Sequence, residues 1–257
     1  MDPKKCDFRG EFLVKCNWYY QQMLKLAFGI HKASLGVNTV MWDADTIPIG
    51  KIEFFSNGRS LLYGSLEEYH PPYFQTISVL FRELPKSFFA YTVQFFSLTK
   101  EESIVLYRRI AGEKEVPCLI LLAPIISERI VREIIKAHRT NGYLISEQEI
   151  VGLSNQLLHS SKQKPIKYLR WGIQGWLTES QIQIAKLARF RHITYENPKK
   201  QWSKQLSWLR LFYVLLKYSF KQSIYMRCRL LMQERWNPGG NRFCPAAPEK
   251  QHVSEDK

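Results

Sequence analysis

Aspartate is almost missing from this sequence: after Asp45 none occurs until Asp256. A centre that gathers several late aspartates around a metal is thereby excluded, unless glutamates stand in as oxygen ligands. Cysteine is sparse and unpatterned. Cys6, Cys16, Cys118, Cys228 and Cys244 are odd in number and contain no C-x-x-C pair, so neither a zinc site nor a disulfide framework is indicated and a reducing compartment fits. Long hydrophobic runs are lacking as well. The longest, Val116 to Ile126, holds Pro117 and Pro124 and falls short of the ~18 residues that a membrane span needs. Met1 to Asp7 has neither the apolar core nor the cleavage site of a secretory signal, and the expectation is a cytoplasmic protein. Acidic charge is missing from the back of the chain. Met1 to Ser161 is nearly balanced, whereas between Lys162 and Arg235 only Glu179, Glu196 and Glu234 offset many Lys and Arg, which carries most of the net charge of +14 and points to an anionic partner.

What is present is a globular composition, 45% hydrophobic and 14% aromatic, on a chain of 257 residues that can bury a substantial core. The stretch Asn38 to Ile49 stands out, because the apolar run Val40-Met41-Trp42 leads into Asp43-Ala44-Asp45 and apolar character resumes at Ile47. This pattern predicts a short buried strand ending in a turn, with Asp43 and Asp45 emerging at the carboxyl edge of an α/β sheet. There they can share one hard divalent cation through oxygen ligands. Helical spacing over Phe12 to Ile30 sets Trp18, Gln22, Lys25 and Gly29 on one face and Tyr19, Met23, Leu26 and Ile30 on an apolar stripe. Lys25 is then able to reach the strand's edge, and Gly29 and Gly36 punctuate the approach to it.

Further along, Lys51 to Gly64 reads as a hairpin turned at Ser56-Asn57-Gly58-Arg59. His70 sits in a rigid loop before Pro71 and Pro72 and is a candidate pocket residue. Helices are predicted over Phe74 to Leu84, Lys100 to Ala111, Ser127 to Thr140 and Thr178 to Leu187, with a strand over Phe88 to Phe96. Ser146 and Glu149 have the spacing of a capping box, which accounts for Glu149 and leaves Glu147 free for chemistry. Trp202 to Met232 is a long basic helix with Trp202, Leu206, Leu209, Phe212, Leu216, Phe220 and Ile224 on one side, as in an interfacial membrane element.

Four blocks carry a resemblance: Trp18 to Leu26, Trp42 to Pro48, Tyr69 to Phe74, and Ser146 to Gly152. In this order they resemble a bacterial family of uncharacterised, glycosyltransferase-like proteins, and a Lys-Leu helix followed by Asp-Ala-Asp-Thr is similar to the glycogenin-type sugar transferases. The resemblance spans about Trp18 to Asn197. It implies an α/β, A-type glycosyltransferase-like mixed sheet flanked by helices, lacking the first nucleotide-binding βα unit and followed by a basic C-terminal helical extension. It also implies Mn²⁺ or Mg²⁺ at Asp43 and Asp45, donor contacts from Gln22, Lys25 and His70, and Glu147 as the catalytic base. The partners are then a nucleotide-sugar donor, a glycan or lipid-linked acceptor in cell-surface polysaccharide synthesis, and an anionic membrane surface on the cytoplasmic side. Residues 1–197 form the transferase-like domain, 198–236 the extension and 237–257 a disordered tail.

Other readings remain. Asp43-Ala44-Asp45-Thr46 satisfies the D-x-D-x-T pattern of haloacid-dehalogenase-like phosphatases, with Asp43 as nucleophile and Asp45 as general acid, but the late aspartates those enzymes use are absent. An inactive transferase remnant acting as a binding protein is the second alternative. Nucleic acid is disfavoured as a partner, because no recognised binding motif accompanies the basic residues.

Overall fold

The computed structural model describes residues 8–65, 70, 73–74, 77, 90–112, 115–116, 118, 122, 124–126, 128, 145–159, 164–170, 175–195 and 205–220, and for residues 8–18 the backbone alone. The fold is mixed α/β, with helices packed on small sheets of both strand polarities.

Helix α1 (Phe8–Ser34) is longer than its apolar periodicity predicts at both ends. It buries Met23, Leu26, Ala27, Ile30 and Ala33. Gly36, at φ +88°, ends it by donating its N–H to the Ala33 carbonyl at 2.9 Å, a left-handed stop that glycine adopts without a Cβ penalty. Gly29 has a different task from the punctuation that the sequence predicts. It lies inside the helix, where an added Cβ would sit 2.9 Å from the Phe96 ring and 3.2 Å from Met41, so its bareness lets α1 lie close against the strands one turn beyond Lys25.

Those strands are β1 (Thr39–Trp42) and its antiparallel partner β6 (Phe95–Leu98), with Trp42 opposite Phe95. Among the described residues β1 pairs with β6 alone. The D-x-D strand is thus half of an antiparallel ribbon rather than a strand inside an open sheet, and a second correction concerns its partner. Of the predicted strand over Phe88 to Phe96, Ala90 forms an isolated antiparallel bridge with Ser65 and the ladder begins at Phe95; between them the backbone N–H of Thr92 bonds to Glu149 and those of Val93 and Gln94 bond to Gln148 at 2.8 and 2.9 Å instead of to a neighbouring strand.

Strand β2 (Thr46–Pro48) pairs antiparallel with β9 (His192–Thr194), and β9 pairs parallel with β8 (Tyr168–Leu169). The hairpin of β3 (Phe55–Ser56) and β4 (Arg59–Ser60) turns at Asn57 and Gly58, φ +51° and +71°, as a two-residue hairpin requires. Strand β5 (Tyr63–Gly64) runs parallel to β7 (Lys164–Pro165). Helix α2 (Lys100–Ala111) has a full capping box between Thr99 and Glu102, and buried Glu102 also receives the Ser60 N–H at 2.9 Å and meets His159 Nε2 at 3.0 Å. Helix α3 (Glu147–His159) covers the β6 side of the ribbon, and α4 (Glu179–Leu187) starts at a second capping box, Thr178 with Gln181.

Among the described residues three apolar cores result, the smallest of them formed by Val93, Phe95, Ile166 and Tyr168. The first joins α1, α2 and α3 through Leu26, Ile30, Leu106, Tyr107 and Ile150. The second joins Ile49, Leu169, Phe190 and Ile193 to Leu206 and to Leu211, Val214, Leu215 and Tyr218 of α5, a helix over 208–220. The C-terminal basic stretch therefore supplies core residues, and the boundary at 197 does not separate two cores. Most of the helices predicted over Ser127 to Thr140 and Phe74 to Leu84, the predicted basic helix beyond 220, and the tail 237–257 lie outside the described residues. Among the described residues no helix is long and apolar enough to cross a membrane.

Candidate functional site

Asp43 and Asp45 leave β1 in a tight turn. The Asp43 N–H donates to Gln94 O at 3.0 Å, the Thr46 N–H closes on Asp43 O at 3.0 Å, and Trp42 Nε1 donates to Thr46 O at 2.7 Å. Trp42 itself is stacked on Phe95, centroids 5.1 Å apart, so the turn is anchored in an aromatic cluster that leaves both carboxylates near the surface.

Onto Asp43 converge side chains from three segments, and a fourth stands behind them. Lys25 of α1 is paired to Asp43 Oδ1 by a short contact and lies 3.4 Å from Glu147 Oε1 at the start of α3. Gln148 Nε2 donates to Asp43 Oδ2 at 3.4 Å. With its amide oriented to suit its neighbours, Gln94 donates to the same oxygen at 3.1 Å and accepts from Arg170 Nη1 at 2.8 Å. Gln22, one turn before Lys25, likewise donates to the Glu147 carboxylate. Three of the four sequence blocks thus meet, and they meet because helix spacing puts Gln22 and Lys25 on one face and Gly29 lets that face approach the ribbon.

The charges disturb one another. Burial pushes the Glu147 carboxyl up to about 7, Lys25 opposes that rise and the Asp43 charge adds to it. Burial would lower Lys25, but Glu147 and Asp43 outweigh it and hold the ammonium above its ordinary value, so Lys25 stays charged through neutrality. Asp45 is raised too, first by partial burial and then by Asp43, against the Thr46 hydroxyl and Arg170. Glu147 is only 2% exposed and lies beneath Lys25. So placed, the carboxylate holds the Lys25 ammonium in position from below.

Glu149 departs from its assigned cap. Its N–H does bond to Ser146 Oγ at 3.3 Å, yet its carboxylate turns to the N–H and hydroxyl of Thr92 at 3.1 and 3.0 Å, so only half of the capping box forms. His70 is exposed and packs edge-on against Tyr73, centroids 5.0 Å apart, with no contact to the Asp43 cluster among the described residues. Sequence reasoning missed Gln94, Gln148 and Arg170. A polar triplet, Glu147-Gln148-Glu149, opening an otherwise apolar helix was the available signal for Gln148; nothing local marks the other two.

Two carboxylates in one turn suit a hard cation of the kind bound through one or two carboxylates and substrate phosphates. Asp45 offers the more open oxygens, its carboxylate accepting from the Thr46 hydroxyl at 3.3 Å, while Asp43 is already engaged by Lys25. Among the described residues no three His, Cys, Asp or Glu gather into a ready-made cage, so ligand oxygens would complete the shell. No protein-family model, curated protein or solved structure matches this chain.

Proposed function

We propose that the chain transfers a sugar from a nucleotide-sugar donor at the Asp43–Asp45 turn, on an A-type glycosyltransferase-like fold. The observation that carries this reading is the convergence of Lys25, Asp43 and Glu147 from three distant segments onto one partly open turn. Lys25 and Arg170 supply fixed positive charge where the donor's diphosphate would lie, and Lys25 exchanges one carboxylate contact for a phosphate oxygen. Glu147 and Gln22 keep the ammonium aimed there. Asp45, with Asp43 behind it, would hold Mn²⁺ or Mg²⁺, which as a Lewis acid stabilises charge on the departing diphosphate. His70 belongs to this proposal as a donor contact from its neighbouring loop, and the acceptor is a glycan or lipid-linked hydroxyl. The phosphatase alternative fares worse, because both oxygens of its nucleophile, Asp43, are occupied by Lys25 and two amides.

Calorimetric titration with Mn²⁺ and a panel of nucleotide sugars tests the assignment. Wild type is expected to bind at least one donor, with the affinity reduced tenfold or more in Asp45→Asn. Equal heats from both proteins would remove the turn from the donor site.

A further inference from the structure

A second concave site lies at the opposite end of the β2–β9 ladder. Thr46 and Thr194 close that ladder on the Asp45 side, whereas Pro48 and His192 end it where Ile49-Gly50-Lys51 departs and Arg191 enters. Here the surface sinks into a groove of about 630 Å³. The cations Lys51, Lys164, Lys167, Arg189 and Arg191 line it, with Glu53 as the one acid. They come from three stretches far apart in sequence, so tertiary folding alone gathers them.

The groove is built on fixed backbone. Arg191 donates its N–H to Lys167 O at 2.8 Å, and its own carbonyl receives the N–H groups of Ile49 and Gly50 at 2.9 and 3.0 Å. Its side chain lies along Gly50, where an added Cβ would come within 3.2 Å of the arginine Cδ. Lys164 is held by its N–H to Leu62 O at 2.7 Å in the β5–β7 pair, and Tyr63 is tied through its hydroxyl to Glu53 O at 2.8 Å. Glu53 neutralises Lys51 alone, at 3.3 Å. Among the described residues no carboxylate lies within ion-pair distance of Lys164, Lys167, Arg189 or Arg191.

A solvated basic face would need neither concavity nor clamped arginines. Like charges gathered along a groove repel one another and focus a positive potential outward, which an anion relieves. The volume falls in the ~300–1,000 Å³ range of small-molecule sites. We infer that this groove is a binding site for a small polyanion carrying two or more phosphate groups, engaged by the Arg191 fork and the ammonium groups of Lys164 and Lys167. This inference does not rest on sugar transfer, since it uses no residue of the Asp43 cluster.

The probe is sodium tripolyphosphate, titrated calorimetrically into the full chain in the presence of a chelator, with citrate as a non-phosphate trianion and a nucleoside diphosphate as a second phosphate source. Wild type is expected to bind tripolyphosphate more weakly as salt rises, and citrate at least fivefold less tightly. The triple variant Lys164→Gln, Lys167→Gln, Arg191→Gln should lose tenfold or more in affinity, while Lys25→Gln changes it less than twofold. A nucleoside diphosphate that binds with the same variant pattern identifies nucleotides as a source, and one that does not leaves free polyphosphate as the ligand. Should the triple variant fail to fold, Lys167→Gln and Arg191→Gln singly should each cost about threefold. Absence of wild-type binding, equal affinity for citrate, or loss only on Lys25→Gln would overturn the site.

Discussion

Glu147 is the residue whose environment makes the sharpest demand. Its carboxyl is raised from 4.5 to about 7, so the folded state binds its proton more tightly than the unfolded chain does. The stability this contributes is fully present below about pH 4.5 and is lost as pH rises through 7; a shift of this size corresponds to roughly 3 kcal/mol. Denaturant unfolding of wild type and Glu147→Gln at pH 5 and pH 8 measures it. The variant is expected to gain on wild type at pH 8 relative to pH 5, and a constant gap would mean that the carboxyl titrates normally. Gly152 makes a steric demand instead. Alanine in a helix interior ordinarily gains about 1 kcal/mol over glycine, but here the added Cβ would run into the Tyr91 ring. Overpacking of this kind costs about 1–3 kcal/mol and prevails. Gly152→Ala should lower the melting temperature and loosen the Thr92 to Gln94 segment, visible as faster amide exchange there; an unchanged or raised melting point would count against the close packing of Tyr91 on α3.

At the scale of elements, α5 is apolar on two opposite sides. Leu211, Val214, Leu215 and Tyr218 face the second core; of the stripe that the sequence singles out, Leu206 is buried with them, while Leu209, Phe212, Leu216 and Phe220 are exposed, Leu209 at 87% and Phe220 at 72%. At 100° per residue the two stripes lie on opposite sides of the helix, with Arg210 and Lys217 on one flank. The packed side thus explains why the helix forms, and the outer side is what a membrane interface would take up. We propose that this outer stripe meets an anionic cytoplasmic membrane face, each flanking cation adding about 1 kcal/mol. Pelleting with neutral and anionic liposomes reads it out: binding should require anionic lipid, weaken with salt, and fall at least fivefold in Phe212→Gln, Leu216→Gln, with the melting temperature unchanged. Protein that stays in the supernatant with every vesicle would dispose of the contact.

For the whole molecule, the same helix makes the chain indivisible near residue 197. Four of its side chains are buried, and losing ~1.5–3 kcal/mol for each rivals the ~5–15 kcal/mol that holds an entire domain together. A chain cut after Asn197 should therefore lose cooperative unfolding in the part that holds Phe190 and Ile193 and become protease-sensitive there. A truncated protein melting like the full chain would show that α5 is dispensable to the second core.

Much of the architecture was legible before any coordinate. The apolar stripe of α1, the Asn57-Gly58 hairpin and the bounds of α2 and α4 follow from spacing, turn chemistry and residue type, which act within a few residues along the chain, whereas Gln22 and Glu147 were candidates through the family resemblance. The strand was misread over Thr92 to Gln94 because their N–H donors are claimed by Glu149 and Gln148, which lie more than fifty residues away. Likewise, local periodicity detects an apolar stripe on α5 but not which of two stripes finds a partner. Whether Glu147 caps, catalyses or props up Lys25 was undecidable in one dimension, since burial and the charge of Asp43 reach it only through space. Local propensity determined the elements. Only long-range packing decided their partners, and with them the protonation of the site and the gathering of Lys164, Lys167 and Arg191 into one groove.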